Sequence, residues 1–215
     1  MKEMYKKPPI KVDIKVVLLG RYFCGKTSLI QRFIYGTFED RYSNTIGAAF
    51  SGKTITVNGK SVEVAIWDTV GDEKYESLSR MYYRNAKAAV LCYDLTDSKS
   101  WDRAKFWVDE VRKNEEDCKI YLCGTKLDLI ANQERAVDFR DVSKYAQSIG
   151  AKEFETSSKS GENIDEVFQT IVSDYLEHNK DMLEGQNEDI TIQLAPTSND
   201  GIRNAFARFQ QKCCM

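Results

Sequence analysis

The sequence predicts an α/β fold with a six-stranded, mostly parallel sheet, helices on both faces and one antiparallel edge strand. Two observations lead to this class: short apolar runs alternate with longer helical patterns from residue 14 onward, and two of the runs meet at Asn58-Gly59. Alternating strands and helices are typical of a parallel sheet. Asn-Gly between apolar runs is the strongest short signal for a hairpin. We therefore expect ligand-binding loops at the carboxyl ends of the strands.

Each element follows from a stretch of sequence. The helical patterns are TSLIQRFIY and the stretches around residues 99–113, 138–149 and 163–178. The runs that predict strands are, in order, IKVVLLG, AAFSGKTITV, SVEVAIWD, AAVLCYDLT, KIYLCGTK and EFETSS.

Length and composition predict one domain with two polar ends. A chain of 215 residues with 42% hydrophobic residues can bury one substantial core. The basic start lacks an apolar signal segment, and no apolar run of membrane-spanning length occurs, so we expect a cytosolic protein. We expect a flexible extension over residues 1–10, a folded domain over 11–178 and a flexible tail over 179–215.

Charge and cysteine usage exclude two classes of function. The net charge is −2, from 31 basic and 33 acidic residues, which disfavours nucleic-acid binding. Four of the six cysteines are scattered with no paired CxxC spacing, which disfavours zinc and fits reduced thiols.

The stretch GRYFCGKTS follows the first strand and begins the first helix. Residues 20–27 satisfy the pattern GxxxxGK[ST]. Gly20 and Gly25 allow a tight turn that aims N–H groups at phosphate, Lys26 supplies a charge to the β and γ phosphates, and Thr27 can ligate Mg²⁺. A glycine-rich turn with a solvated lysine is the simpler alternative, but the flanking strand and helix favour a nucleoside triphosphate site.

DTVG at residues 68–71 ends an apolar strand about forty residues later. Asp68 could hold Mg²⁺ through water, and the amide of Gly71 could bond the γ-phosphate. This pattern alone is ordinary turn chemistry. After a phosphate loop it indicates the metal side of a triphosphate site.

Two further loops indicate guanine. Asp128 in TKLD can accept hydrogen bonds from N1–H and the 2-amino group of guanine, which adenine lacks, and a carboxylate left unpaired rejects the wrong base strongly. In ETSSK, a backbone amide near Ser158 could bond the guanine oxygen. Taken alone, TKLD would be a solvated loop with a helix-capping Asp.

These motifs, in this order and spacing, resemble those of the Rab family of small GTPases, a branch of the Ras superfamily. The resemblance covers residues 11–178 and implies the P-loop small GTPase fold. TIGAAF, WDTVGDEKY, YYRNA and the terminal CCM carry its Rab character, and the sequence is most similar to the atypical branch associated with autophagy.

The resemblance implies roles for several more residues. Thr45 should coordinate Mg²⁺, as Thr27 and Asp68 do, and sense the γ-phosphate. Phe38 and Lys126 should lie against opposite faces of guanine. The segments 38–50 and 70–84 should be the two switches that respond to the γ-phosphate. The implied nucleotide contacts are Tyr22, Phe23, Cys24, Gly25, Lys26, Thr27, Ser28, Phe38, Thr45, Gly71, Thr125, Lys126, Asp128, Ser157, Ser158 and Lys159.

Three positions depart from the family pattern. The expected catalytic residues are Asp72, Gly71 and Lys26. Asp72 occupies the position where a glutamine usually orients the attacking water, so we expect slow hydrolysis. Tyr22 and Phe23 replace small residues near the space that an arginine finger needs; alternatively, both rings lie outward and a partner restores turnover. Thr125 replaces a commoner asparagine, which predicts a weakened hydrogen bond to the base and to the phosphate loop.

The chain ends in KCCM, which does not fit a CaaX motif. By resemblance, Cys213 and Cys214 are both geranylgeranylated, and two lipid chains give stable anchoring where one does not. Two free surface thiols are the alternative. We expect the lipid-anchored protein on the cytosolic face of intracellular membranes, with endosomes or autophagosomes as candidates.

The sequence therefore predicts a monomeric switch that binds GTP or GDP with Mg²⁺ and hydrolyses GTP slowly in vesicle transport. By resemblance, its partners are effectors, an exchange factor, an activating protein, a Rab escort protein and a GDP dissociation inhibitor. A GTP-loaded scaffold with negligible hydrolysis is the main alternative. An ATPase or nucleoside kinase is disfavoured by Asp128.

Overall fold

The computed structural model describes residues 13–40, 49–71 and 81–180. Its helices are α1 (Lys26–Tyr35), α2 (Ser98–Asn114), α3 (Phe139–Ile149) and α4 (Ile164–His178), with a short 3₁₀ helix at Leu127–Leu129. Its strands are β1 (Ile14–Gly20), β2 (Ala49–Val57), β3 (Lys60–Asp68), β4 (Ala88–Asp94), β5 (Lys119–Thr125) and β6 (Lys152–Glu155).

The strands form one sheet in the order β2-β3-β1-β4-β5-β6. Only β2 runs antiparallel, beside β3; the other neighbouring pairs are parallel. The predicted six-stranded, mostly parallel sheet is therefore confirmed. Because Leu18 pairs with Asp68 and Asp94 pairs with Thr125, the carboxyl ends of four strands lie along one edge of the sheet.

The hairpin between β2 and β3 turns at Asn58 and Gly59. Both have positive φ, 51° and 75°, as a two-residue type I′ turn requires. The Asn-Gly prediction is confirmed.

Two apolar layers cover the two faces of the sheet. Alternate residues of the central strands point to opposite faces, so Val16 and Leu18 pack with α1 and α4, while Val17 and Leu19 pack with α2 and α3. Every residue of β4 is buried. In the first layer, Phe33 of α1 stacks on Phe168 of α4 with ring centroids 3.8 Å apart.

The helices begin in two different ways. Asp97 and Asp138 cap α2 and α3 by accepting hydrogen bonds from the amides of Lys99 and Arg140. In contrast, α1 is preceded by Gly25, at φ 92°, and has no side-chain cap. Because no side chain caps it, the N-terminus of α1 is suited to an anion.

None of the helices within residues 13–40, 49–71 and 81–180 has the length and hydrophobicity that a membrane span needs.

Candidate nucleotide-binding site

The glycines of the phosphate loop, residues 20–27, are required by close contacts. Gly20 has φ 145°, and a Cβ built on it would lie 2.9 Å from the sulfur of Cys24 and still closer to the carbonyl of Cys92. Gly25 has φ 92°, and its Cβ would lie 3.3 Å from Oγ1 of Thr125. Neither position has room or a suitable backbone for a side chain.

Backbone amides remain available inside this loop. The Cys24 amide donates to the Arg21 carbonyl at 3.3 Å, whereas the Tyr22 and Gly25 amides find no acceptor in the part of the chain that the structure describes. Available amides next to a helix N-terminus form a site for phosphate.

Lys26 lies folded inside the loop. Its side chain is 5% exposed, and its ammonium donates to the carbonyls of Gly20 and Arg21, both at 3.0 Å. A Cβ built on Gly71 would lie 2.6 Å from this nitrogen, so only glycine fits there. The DxxG segment thus contacts the phosphate loop through its glycine.

Thr27 and Asp68 form the predicted metal pair. The Thr27 hydroxyl donates to Oδ2 of Asp68 at 2.6 Å. Asp68 is 3% exposed, its other oxygen has no hydrogen-bond partner among the residues that the structure describes, and burial raises its pKa. A hydroxyl beside an unpaired carboxylate oxygen fits Mg²⁺, which prefers hard oxygen ligands.

Asp128 and Ser157 form the first half of the base site. Ser157 donates its hydroxyl to Oδ1 of Asp128 at 2.5 Å, and the Leu127 amide donates to the Thr156 carbonyl at 3.0 Å. Ser157, expected to contact the nucleotide, therefore holds the carboxylate that is predicted to bind the base.

The second half of the base site is the base loop, residues 156–161. The amides at positions 156, 157, 160 and 161 all have protein acceptors at 2.7–3.1 Å. Those of Ser158 and Lys159 find none within the described ranges. Because Ser158 is only 8% exposed, its open amide is suited to a ligand acceptor such as the guanine oxygen.

Lys126 is held beside this site by a residue that sequence reasoning missed. Its backbone is left-handed, at φ 62°, and its ammonium lies 2.7 Å from Oδ2 of Asp94. Asp94 also accepts from the amide and hydroxyl of Thr96. An aspartate at the end of a parallel strand, on the same edge as Asp68, was the available signal.

Thr125 bridges the two halves of the site. Its hydroxyl donates to the Cys24 carbonyl at 2.6 Å and lies 3.0 Å from the Tyr93 carbonyl. The sequence predicted a weakened bond to the phosphate loop, and the structure instead contains a short one. The short threonine side chain reaches the Cys24 carbonyl because Gly25, which has no Cβ, lets the phosphate loop approach β5.

The aromatic residues of the loop lie at the surface. Tyr22 and Phe23 are 47% and 46% exposed, with ring centroids 4.2 Å apart. This matches the outward alternative for their orientation. Phe23 has φ 61°, an uncommon conformation for a bulky residue.

Some of the remaining predicted residues lie within the described ranges and others lie outside them. Ser28 lies in the first turn of α1, and partly buried Phe38 follows that helix. Thr45, Asp72, Cys213, Cys214 and much of both switch segments lie outside the described residues.

Comparison with known proteins identifies the family. Residues 15–177 match the Ras family. The chain is 46% identical over 166 residues to "Ras-related protein Rab-24" of Dictyostelium discoideum, covering 77% of this chain and 82% of the relative. The chain is a Rab-family small GTPase. It is also 44% identical to "GTP-binding protein ypt5" of Schizosaccharomyces pombe over 77% of the chain and 79% of the relative.

A third relative agrees with this assignment. "Ras-related protein Rab-21" of Homo sapiens is 41% identical over 77% of the chain and 73% of the relative. As a Rab-family GTPase, the chain belongs to a family that binds GTP and GDP with Mg²⁺, hydrolyses GTP and acts in membrane traffic.

Proposed function

We propose that this Rab-family GTPase is a slow switch, which hydrolyses GTP poorly by itself and rests largely in the GTP-bound state. The observation that carries the proposal is Asp72, directly after Gly71, where the family pattern has a glutamine. Aspartate is shorter than glutamine and, when ionised, adds negative charge beside an anionic γ-phosphate. Both differences should weaken the positioning of the attacking water.

The contacts of the described residues support a part for each of them in this function. The amides of the phosphate loop and Lys26 bind the phosphates, and Asp128 with the open amides of the base loop selects guanine. Thr27 and Asp68, joined by Thr45, would hold Mg²⁺, which neutralises charge on the β and γ phosphates when bound. Gly71 lies against Lys26, so its amide is suited to the γ-phosphate.

Tyr22 and Phe23 bear on hydrolysis assisted by an activating protein, although their outward orientation does not by itself support a slow rate. Two half-exposed rings on the loop occupy surface that an activating protein would cover, at positions where the family has small residues. Loss of an inserted arginine finger lowers the rate of GTP hydrolysis by about 10³- to 10⁵-fold. The alternative remains that a partner contributes its own catalytic glutamine.

Single-turnover hydrolysis tests the proposal. GTP-loaded wild type and Asp72→Gln are compared with Mg²⁺ present, and Tyr22→Ser/Phe23→Ala serves as a matched change in the same site. We expect slow wild-type turnover and a clear gain in Asp72→Gln. Equal, fast rates in both proteins would refute the slow switch, and undetectable turnover in both would favour a GTP-loaded scaffold.

We further propose that Cys213 and Cys214 carry two geranylgeranyl groups and that the tail, residues 179–215, tethers the GTPase domain to membranes. The adjacent cysteines and the family support this proposal. Mass spectrometry of the terminal peptide from cells should find two prenyl groups. An unmodified terminus would remove the anchor.

The pathway and partners are also proposals. TIGAAF and the other segments similar to the atypical branch, with the 46% identity to a Rab-24 protein, support a place in endosomal or autophagic transport. Effectors would bind through 38–50 and 70–84, and exchange factor, activating protein, escort protein and GDP dissociation inhibitor would act on a monomer. A tagged protein absent from both endosomes and autophagosomes would contradict this placement.

A further inference from the structure

We propose that Arg32 is a positioning residue that ties the start of the first switch segment to the base loop, thereby setting the residence time of guanine nucleotide and the recognition of its O6 atom. The inference rests on the guanine site of the proposed function. Arg32 lies on α1, in neither the phosphate loop nor the base loop.

The guanidinium of Arg32 binds three backbone carbonyls. Nε donates to Ser158 at 2.6 Å, and one terminal nitrogen donates to Lys159 at 2.5 Å. The other donates to Gly36 at 2.7 Å. A planar group with several fixed donors suits such a multiple contact, and a lysine ammonium on a flexible chain does not.

Two of these carbonyls belong to the residues whose amides are open. In a trans peptide the C=O and N–H groups point in opposite directions, so holding the Ser158 carbonyl against Arg32 fixes the direction of the Lys159 amide. The second bond, to the Lys159 carbonyl, restrains the next peptide in the same way. Arg32 therefore orients the open Lys159 amide and holds the peptide that directly follows the Ser158 amide, the one suited to the guanine oxygen.

Asp128 is connected to Arg32 only indirectly, through the Ser160 amide, which belongs to the peptide whose carbonyl Arg32 binds and donates to the Ser157 hydroxyl at 3.1 Å. Its carboxylate accepts from the Ser157 hydroxyl, and the Ser157 amide is in turn bonded to the Glu162 carbonyl at 3.1 Å. Arg32 thus acts on the base loop directly and on Asp128 only through Ser160 and Ser157, so a change at Arg32 should affect O6 recognition more than recognition of the 2-amino group.

The third carbonyl connects Arg32 to the first switch. Gly36 ends α1 in a left-handed conformation, at φ 69°, and its amide donates to the Arg32 carbonyl at 2.9 Å. The Arg32 side chain returns a bond to the Gly36 carbonyl, two residues before Phe38, where the first switch segment begins. One side chain therefore restrains both the base loop and the entry to the switch.

Lys53, on strand β2, provides a matched control because it contacts the same helix as Arg32. Its ammonium donates to the Phe33 carbonyl at 2.6 Å, next to Arg32, and lies 3.8 Å from the centre of the Phe33 ring. It links α1 to β2 and has no bond to the base loop. Lys53→Met thus removes a cation of β2 that contacts α1 while leaving nucleotide recognition alone.

The first measurement is the rate of GDP release from the purified full chain. For Arg32→Lys we expect release about tenfold faster than wild type, the effect of losing roughly one charge-assisted hydrogen bond. For Lys53→Met we expect a rate within about twofold of wild type. Arg32→Gln, which keeps a planar donor group, is measured in parallel, and circular dichroism establishes that each protein is folded.

The second measurement separates positioning from general loosening. In 6-thioguanosine diphosphate a weaker sulfur acceptor replaces O6, and inosine diphosphate lacks only the 2-amino group. The preference for GDP over the thio analogue should shrink in both Arg32 variants, whereas the preference over inosine diphosphate should change much less. Unchanged GDP release in folded variants, or an equal fall in both preferences, would overturn the proposal. Fast hydrolysis by wild type would refute the slow switch and leave this result intact.

Discussion

The Thr125 hydroxyl joins the phosphate loop to two strands of the sheet. It bonds the Cys24 carbonyl and lies within hydrogen-bond distance of the Tyr93 carbonyl, and Thr125 is 1% exposed. A buried carbonyl that loses its donor becomes an unsatisfied polar group. The position of the phosphate loop beside the sheet therefore depends on Oγ1 of Thr125.

Thr125→Val should lower the free energy of unfolding by about 1–3 kcal/mol, because the buried Cys24 carbonyl loses its donor. GDP release should also become faster, since the phosphate loop is then held less firmly. Urea denaturation and nucleotide displacement measure the two effects. Thr125→Ser keeps the hydroxyl and is the control; if it loses as much as Thr125→Val, the hydroxyl is not the cause.

Among single residues, those that belong to motifs could be predicted from the sequence, whereas those whose side chains bind backbone groups could not. Thr27 and Asp68 were both predicted, and the structure brings them within 2.6 Å. Arg32 could not be predicted, because it binds carbonyls 126 and 127 positions away and every residue offers a carbonyl. Asp94 was missed because its partner, Lys126, had been assigned to the base.

Among the elements, the hairpin and the strand ends show how local chemistry sets boundaries. The Asn58-Gly59 turn was predictable because a two-residue turn of this type needs two positive φ angles. The end of β5 at Thr125 was less predictable, because Lys126 leaves the strand in a left-handed conformation. Similarly, EFETSS predicted a longer last strand than Lys152–Glu155, since its Thr-Ser-Ser residues form the base loop.

Gly59→Ala tests the hairpin by itself. A Cβ at this position would meet nothing within 4 Å, so the effect comes only from the backbone at φ 75°. We expect the free energy of unfolding to fall by about 1–2 kcal/mol, with GDP release unchanged. Urea denaturation checks this, with Lys60→Ala as the neighbouring control. No loss of stability would contradict the assigned turn.

For the whole molecule, the parallel sheet explains why short motifs far apart in sequence form one site. Gly20, Asp68, Asp94 and Thr125 end four strands, and the base loop follows a fifth. The order of the strands brings these ends to one edge. The fold class was predictable because strands and helices alternate regularly in the sequence. The hydrogen bonds of Arg32 were not predictable, because they depend on how α1 packs beside the base loop.

The central claim is that this edge holds a guanine nucleotide, with amides and Lys26 at the phosphates and Asp128 at the base. The most direct test is equilibrium binding of GTP and ATP to nucleotide-free protein with Mg²⁺ present. Because adenine leaves the Asp128 carboxylate unpaired, the account predicts a preference for GTP of about 10⁴-fold or more. Similar affinities for the two nucleotides, or binding of neither, would contradict it.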